Sequence, residues 1–229
     1  MKKRSKRYKE LTKLSTKGKK VELKEIFDLV KKTSTAKFDE SVDVSLKINL
    51  KQSKGGDFNL RTIVKLPSGS GKKTTIAVLC EADKLEESKK SGAEVVGSDD
   101  LLASIAEGKF NFNKLICTPA MMGKLGKHGK ILGPKGLMPN PKLGTVATDI
   151  KKAVQDIKTG LVEVKNDKDG NVASTIGRKS FTNDNLIKNF KFFVDSIKKE
   201  RPDAMKGDLI KNIYITSSMG ISYKVSARS

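Results

Sequence analysis

The chain has 229 residues, of which 36% are apolar and 32% charged, and 47 Lys and Arg face 26 Asp and Glu, for a net charge of +21. This length suits two small domains, and the recurring apolar patterns exclude a disordered chain. The charge predicts a polyanionic partner. Because no apolar run reaches 18 residues, we expect that partner to be a nucleic acid and not a membrane.

The amino terminus is a basic segment, since residues 1–20 carry ten basic side chains and one acidic one. No apolar segment follows, as it would in a secretory signal, so we interpret these residues as an arm that is flexible until RNA binds. Beyond the arm, apolar residues at helical spacing predict an amphipathic helix over residues 21–32.

The next elements predict strands and a domain boundary. Residues 41–50 alternate strictly between apolar and polar side chains, which is typical of a strand with one buried face. A second apolar strand, residues 62–66, ends in the sequence PSGSG. We therefore predict a boundary after residue 67 and a hinge that includes Pro67, Gly69 and Gly71.

The middle of the chain alternates short apolar runs with helical stretches, a pattern that predicts a parallel sheet covered by helices. The predicted strands are residues 75–80, 94–96 and 115–117, and the predicted helices are 82–91 and 99–107. A last helix, capped by Thr148 or Asp149, ends at Thr159 and Gly160. The second boundary, with Gly160 as a further hinge residue, belongs there.

The remaining residues resemble the first segment more than the middle one. Strands at 161–165 and 172–176 flank an Asp-Gly turn and predict a hairpin, followed by a helix at 184–198 and strands at 210–216 and 221–225. Neither flank is large enough to fold alone, so we expect residues 1–67 and 160–229 to form one composite domain around an inserted domain, 68–159. The insert carries 15 basic and 10 acidic residues, which leaves 32 basic and 16 acidic ones for the composite domain. The composite domain is the stronger RNA-binding candidate.

The motifs do not favour an enzyme. The segment PSGSGKKTT lacks the glycine, and the Ser or Thr after the lysine, that a phosphate-binding loop needs, and no dinucleotide fingerprint follows the first strand of the middle segment. His128, the one histidine, has no catalytic partner at motif spacing. Reading helices and zinc fingers of transcriptional regulators are absent from the pattern. Cys80 and Cys117 lie in apolar strands without metal spacing, which indicates core residues in a reducing cytosol, and we expect no cofactor.

The most specific stretch is GKILGPKGLMPNPKLGTV, residues 129–146, preceded by CTPAMMGKLGKH. Its glycines and prolines predict a rigid, irregular loop whose backbone could approach a phosphate closely. The candidate residues are Lys130, Gly133, Lys135, Gly136 and Lys142. Composition alone leaves RNA contact and a merely structural loop equally open.

This stretch resembles the signature of the family of large-subunit ribosomal protein number one. Further blocks resemble that family in the same order: TAKFDESVDVSLKI from residue 35, GAEVVGSDDL from 92, VKNDKDG from 164 and ITSSMG from 215. The resemblance implies an α/β protein of two domains joined by a hinge. One is a split α/β sandwich made from both termini, and the other is an inserted Rossmann-like domain.

The resemblance also implies which residues of the composite domain contact RNA. These are Lys37, Phe38, Asn166, Asp167, Lys168, Ser174, Ser218, Met219 and Gly220. The residues alone leave other roles open: a core position for Phe38, a hairpin corner at Met219 and Gly220, and ordinary turn chemistry at Asn166 and Asp167. Two departures matter, because the family usually has threonine at Ser218 and often has histidine in the strand that contains Ser174.

The function implied by the resemblance is that of a structural, non-catalytic protein of the large ribosomal subunit. It would bind 23S rRNA as a monomer, form the mobile stalk near the E site and assist release of the deacylated E-site tRNA. Family members also bind their own operon mRNA and repress its translation, so the same partner is expected here. We accordingly expect a cytoplasmic, ribosome-associated protein.

Overall fold

A computed structural model describes residues 4–15, 21–50, 59–141, 144–202, 205 and 207–225. The chain divides into two compact units. Unit 1 combines the chain up to Gly71 with the chain from Gly160 onward, and unit 2 is Lys72–Thr159. The first division therefore falls four residues beyond the boundary that the sequence predicts.

Unit 1 is built on an antiparallel sheet with β1 (Ser41–Ile48) inside it. One neighbour of β1 is β7 (Asn171–Arg178), and the other is β8 (Ile210–Ser217), which also pairs with β9 (Tyr223–Val225). Every second residue of β1 is buried, which confirms the predicted strand. The helices α2 (Leu23–Thr33) and α8 (Asn183–Lys199) share a hydrophobic core with these buried residues. The polar face of β1 points away from that core.

A second sheet of unit 1 pairs β2 (Arg61–Lys65) with β6 (Leu161–Lys165) in antiparallel register. The predicted hairpin of β6 with β7 is therefore wrong. Among the described residues, one isolated bridge between Asn166 and Val172 joins the ends of these two strands, and β7 otherwise pairs with β1. The turn between them forms as predicted, but a tight turn fixes only the local reversal of the chain and not the partners of each strand.

The basic arm contains a helix, α1 (Lys6–Lys13), which the sequence did not predict. The hydroxyl of Ser5 caps its first turn by accepting a hydrogen bond from the backbone N–H of Tyr8 at 3.2 Å. Leu11 is only 6% exposed, so the helix packs against the rest of the protein through that side chain. The expectation of a wholly flexible arm is wrong for residues 4–15. Residues 1–3 and 16–20 lie outside the described part of the chain.

Unit 2 confirms the predicted α/β class with a parallel sheet in which β3 (Ile76–Leu79) lies between β4 (Val95–Gly97) and β5 (Lys114–Cys117). Its helices are α3 (Leu85–Lys90), α4 (Asp99–Ala106), α5 (Pro119–Gly126), α6 (Gly129–Leu132) and α7 (Ile150–Lys158). Alternate residues of β3 enter separate hydrophobic cores, one shared with α7 and the other with α4 and α5. The sheet is thus covered on both faces.

The cysteines of unit 2 are free thiols in its core. Cys80 and Cys117 are fully buried, as the sequence predicts for small core residues. Burial, with a smaller contribution from Cys80, raises the pKa of the Cys117 thiol to about 11. A thiol that stays protonated at neutral pH is a poor nucleophile, so Cys117 serves as a core side chain.

The glycines predicted as a hinge are packed tightly inside unit 1. Gly69, Gly71 and Gly160 all have positive φ angles, and a Cβ on Gly160 would lie 2.7 Å from the Cα of Gly69. The buried amide of Asn189 accepts from the N–H of Ser68 at 2.9 Å and donates to the carbonyl of Gly69 at 2.9 Å. These glycines therefore allow close packing, whereas Pro67 is exposed in the same segment. A hinge at Pro67, Gly69, Gly71 and Gly160 stays a prediction.

Candidate nucleic-acid interface

The segment between α2 and β1 presents Lys37 and Phe38 to solvent on a backbone that the β7 to α8 connection holds in place. Arg178 donates to the carbonyl of Asp39 at 3.0 Å. The carboxylate of Asp39 accepts from the N–H and the hydroxyl of Ser180 at 3.1 and 2.8 Å. Phe38 is 55% exposed, so its ring is not a core side chain. Because the backbone beneath it is already fixed, docking a ribose or base on this ring costs little ordering entropy.

Glu40 is a buried carboxylate between this segment and the turn after β8. Its oxygens accept hydrogen bonds from the N–H of Ala36 at 2.9 Å and from the N–H of Met219 at 3.1 Å. Burial acts to raise the pKa of Glu40, but these backbone donors and the charge of Arg7 outweigh it, and the pKa is lowered from its ordinary value. The ionised carboxylate therefore joins two segments that are far apart in sequence.

The turn after β8 exposes Ser218 and Met219. The two backbone groups of Ser41 pair with Ser218: its carbonyl accepts from the N–H of Ser218, and its N–H donates to the Ser218 hydroxyl oxygen, both at 3.1 Å. Met219 is 53% exposed. A Cβ on Gly220 would lie 2.3 Å from the hydroxyl oxygen of Ser217, so this position requires glycine for space although its φ is not positive.

Lys37, Phe38, Ser218, Met219 and Gly220 thus come together, and we call them the Phe38–Met219 surface. They combine a cation, two exposed apolar side chains, a hydroxyl and a closely approachable backbone. Aromatic and apolar side chains pack on bases or sugars, while cations and hydroxyls contact phosphates. The arrangement is suited to a folded RNA.

The remaining predicted RNA contacts lie elsewhere. Asn166, Asp167 and Lys168 precede β7 at the end where Asn171 pairs with Lys47, whereas Ser41 begins β1 at the other end. Six residues of strand separate these ends, or about 20 Å. The structure therefore does not bring these three residues to the Phe38–Met219 surface.

This second group is a turn with many hydrogen bonds of its own, and β1 supports it from outside: the ammonium group of Lys47 donates to the carbonyl of Asp169 at 2.6 Å. The Asp167 carboxylate accepts from the N–H of Asp169 at 3.0 Å and from the N–H and side-chain amide of Asn171 at 2.6 and 2.8 Å. The hydrogen bonds from Asn171 are the main reason that the pKa of Asp167 is lowered. Lys168 is exposed at the tip of the turn. Asn166 is bound to the N–H of Leu60 at 2.5 Å, so its amide orders the backbone.

The structure places Ser174 apart from the Phe38–Met219 surface. This half-buried residue pairs with Val44, a buried residue, and its hydroxyl oxygen is shielded from solvent. Because paired residues of antiparallel strands point to the same face, the Ser174 hydroxyl points to the covered face, and its contact with RNA stays a prediction.

In unit 2 the glycine-proline loop begins with helix α6, so it is less irregular than predicted. Lys130, Gly133, Lys135 and Gly136 are exposed, and Lys142 lies outside the described residues. The ammonium group of Lys135 lies 3.8 Å from the centroid of the Phe110 ring, a cation–π contact that fixes the side chain. A Cβ on Gly133 would lie 2.8 Å from the carbonyl oxygen of Gly129, so this glycine has a structural role in the loop.

Sequence reasoning missed Glu40 and Arg7. Arg7 donates to the carbonyl of Met219 at 2.9 Å and to the hydroxyl of Thr35 at 2.8 Å, although it belongs to the arm. No local pattern distinguishes either residue from an ordinary surface charge. Their partners are 28 to 212 residues away in the chain for Arg7 and up to 179 away for Glu40.

A preorganised surface with a cation and exposed apolar side chains is typical of an RNA-binding protein. The model of the Ribosomal protein L1p/L10e family matches residues 30–221. A large ribosomal subunit protein uL1 of Pelagibacter ubique is 58% identical over 197 residues, covering 86% of each chain. The large ribosomal subunit protein uL1 of Lactiplantibacillus plantarum is 44% identical over 229 residues, covering the full length of both chains. The chain belongs to the Ribosomal protein L1p/L10e family.

Family membership confirms the resemblance found in the sequence. The protein is a structural, RNA-binding component of the large ribosomal subunit and not an enzyme. No helix in the part of the chain that the structure describes has the length and apolar character needed to cross a membrane.

Proposed function

We propose that unit 1 binds 23S rRNA directly through the Phe38–Met219 surface. The observation that carries this proposal is the pair of half-exposed apolar side chains, Phe38 and Met219, in two segments that the buried Glu40 carboxylate joins through the N–H groups of Ala36 and Met219. Exposed apolar side chains that lie together are typical of an interaction site. The net charge of +21 supplies the long-range attraction to RNA.

The turn at Asp167 gives Lys168 a separate role in this proposal. Lying about 20 Å from the Phe38–Met219 surface, Lys168 contacts the phosphates of the same RNA further along its backbone. Contacts at this distance add affinity without reading the identity of the RNA. Selectivity then resides in the Phe38–Met219 surface.

The test is a salt titration of binding by the purified protein to 23S rRNA and to a random RNA of equal length. We expect a preference for 23S rRNA that persists at physiological salt, because charge alone gives affinity without selectivity. Equal and steeply salt-dependent binding to both RNAs would contradict the proposal.

The same proposal has three further parts. The protein forms the mobile stalk, assists release of the E-site tRNA and binds its own operon mRNA. Unit 2, with Lys130 and Lys135 in its exposed loop, would act on the tRNA side while unit 1 holds the ribosome. The mRNA would compete for the Phe38–Met219 surface. An mRNA leader that fails to displace 23S rRNA from the protein would exclude autoregulation through this surface, and ribosomes lacking unit 2 would show normal tRNA release if the tRNA role is wrong.

A further inference from the structure

Helix α1 joins the candidate interface through one side chain. Its position is fixed by the Ser5 cap and by Leu11, which is buried. From that helix, the half-buried Arg7 reaches the two segments that form the Phe38–Met219 surface. The helix otherwise carries exposed cations such as Lys6 and Lys9.

The guanidinium of Arg7 binds both segments at once. Its Nε donates to the hydroxyl of Thr35 at 2.8 Å, and its Nη2 donates to the carbonyl of Met219 at 2.9 Å. A guanidinium is planar and presents donors in a fixed fork, so the two bonds set the spacing between the two segments. A lysine ammonium at this position would keep the charge but not this geometry.

Arg7 completes the hydrogen bonding of the Met219 peptide groups. The N–H of Met219 donates to Glu40, and its carbonyl accepts from Arg7. The N–H and the carbonyl of this exposed residue are therefore bound by two side chains of opposite charge. The positive charge of Arg7 also offsets the buried charge of Glu40, which would otherwise oppose RNA phosphates close to the surface.

We propose that Arg7 is a positioning residue for RNA recognition, which orders the Met219 turn against the Phe38 segment before RNA arrives. This inference rests on the proposed function and extends it to α1, which lies outside the residues that the family model matches. Arg7 acts through geometry, in contrast to Lys9 on the same helix, whose exposed charge can only attract phosphates.

The experiment compares Arg7→Lys, Arg7→Gln and the control Lys9→Gln in the full-length protein. Affinities for 23S rRNA and for random RNA are measured across a range of salt concentrations. We expect both Arg7 variants to bind 23S rRNA about tenfold more weakly, the loss associated with one hydrogen bond from a charged donor. Arg7→Lys should leave the affinity for random RNA and the salt dependence unchanged. Lys9→Gln should weaken binding to both RNAs by the same small factor.

A second readout follows the turn without RNA. The backbone amide resonances of Met219 and Gly220 should shift in both Arg7 variants and not in Lys9→Gln. If wild-type protein prefers 23S rRNA and Arg7→Lys retains that preference in full, Arg7 is a simple phosphate contact and the inference is overturned alone. A wild-type protein with no preference overturns the proposed function and this inference with it.

Discussion

The two ends of the central sheet of unit 1 carry predicted RNA contacts, but they are built in opposite ways. At the Asp167 end, the turn is held by hydrogen bonds among residues 167 to 171. At the Phe38 end, the carboxylate of Glu40 binds Met219, which is 179 residues away, and the guanidinium of Arg7 binds Met219, which is 212 residues away. The carboxylate at the first site bonds within its own turn, with added support from Lys47 and Ile48 of β1, whereas the second site depends mainly on partners far away in the chain.

This difference separates two kinds of binding. The Asp167 turn exposes one lysine, Lys168, without an apolar side chain beside it, so this lysine acts as a point charge. The Phe38–Met219 surface owes its shape to groups buried beneath it, and preorganisation of that kind supports selectivity. Substitutions at the Phe38–Met219 surface should therefore change selectivity for 23S rRNA, whereas substitutions at the Asp167 turn should change only the affinity for RNA.

The largest effect is expected from Met219→Asp, which puts an anion against the RNA backbone in place of an exposed apolar side chain. We expect the free energy of binding to 23S rRNA to weaken by about 3 kcal/mol. Phe192→Asp is the matched control, because Phe192 is a similarly exposed apolar residue on α8, at 44% exposure. Filter binding of both variants measures the difference, and equal affinities would remove Met219 from the interface.

Glu40→Gln should lower the free energy of unfolding at pH 7 by about 2 kcal/mol, because the side-chain amide would place a donor against a backbone donor. Since the pKa of Glu40 is lowered in the folded state, its stabilisation is full above the ordinary value of 4.5 and is lost as pH falls through the folded value. Urea unfolding at pH 7 and pH 3.5 should show the gap between wild type and variant narrowing. The exposed Glu10→Gln control should show no such narrowing, and a gap independent of pH would contradict the assignment.

Gly220→Ala should cost about 1.5 kcal/mol in stability, because the new methyl group would overlap the Ser217 hydroxyl oxygen at 2.3 Å. Removing that hydroxyl in the double variant Ser217→Ala/Gly220→Ala relieves the clash, since the next neighbour, the hydroxyl of Thr33, lies at 3.4 Å. Thermal unfolding of Gly220→Ala, Ser217→Ala and the double variant tests this, because Ser217 also bonds to Glu40. A double variant whose loss of stability equals the sum of the two single losses would show that the methyl group and the hydroxyl do not clash.

Lys168→Ala should have the smallest effect, weakening binding to 23S rRNA and to random RNA alike by about threefold and lowering the salt slope by about one. Lys188→Ala, an exposed lysine on α8, is the control for the loss of one charge. If Lys168→Ala lost its preference for 23S rRNA over random RNA, the contrast between the two ends of the sheet would be wrong, because the Asp167 turn would then contribute to selectivity.

The sequence predicted what depends on local periodicity. The alternation of β1, the length of α8 and the Asp167 to Gly170 turn follow from patterns a few residues long. The pairing of β6 with β2, the ordering of α1 by Leu11 and the burial of Glu40 depend on distant partners. Family resemblance placed Phe38 and Met219 at the interface, but neither pattern nor resemblance identified the groups that hold them in place.

The position of β1 in the sheet also determines at what point in its synthesis the chain can complete the Phe38–Met219 surface. β1 leaves the ribosome early, but its neighbours β7 and β8 are both encoded after unit 2. Unit 2 can complete its parallel sheet while β1 still lacks both partners. Because Met219 follows β8, a chain that stops before β8 is complete has no Phe38–Met219 surface. If this surface binds RNA as proposed, such a chain would fail to bind it.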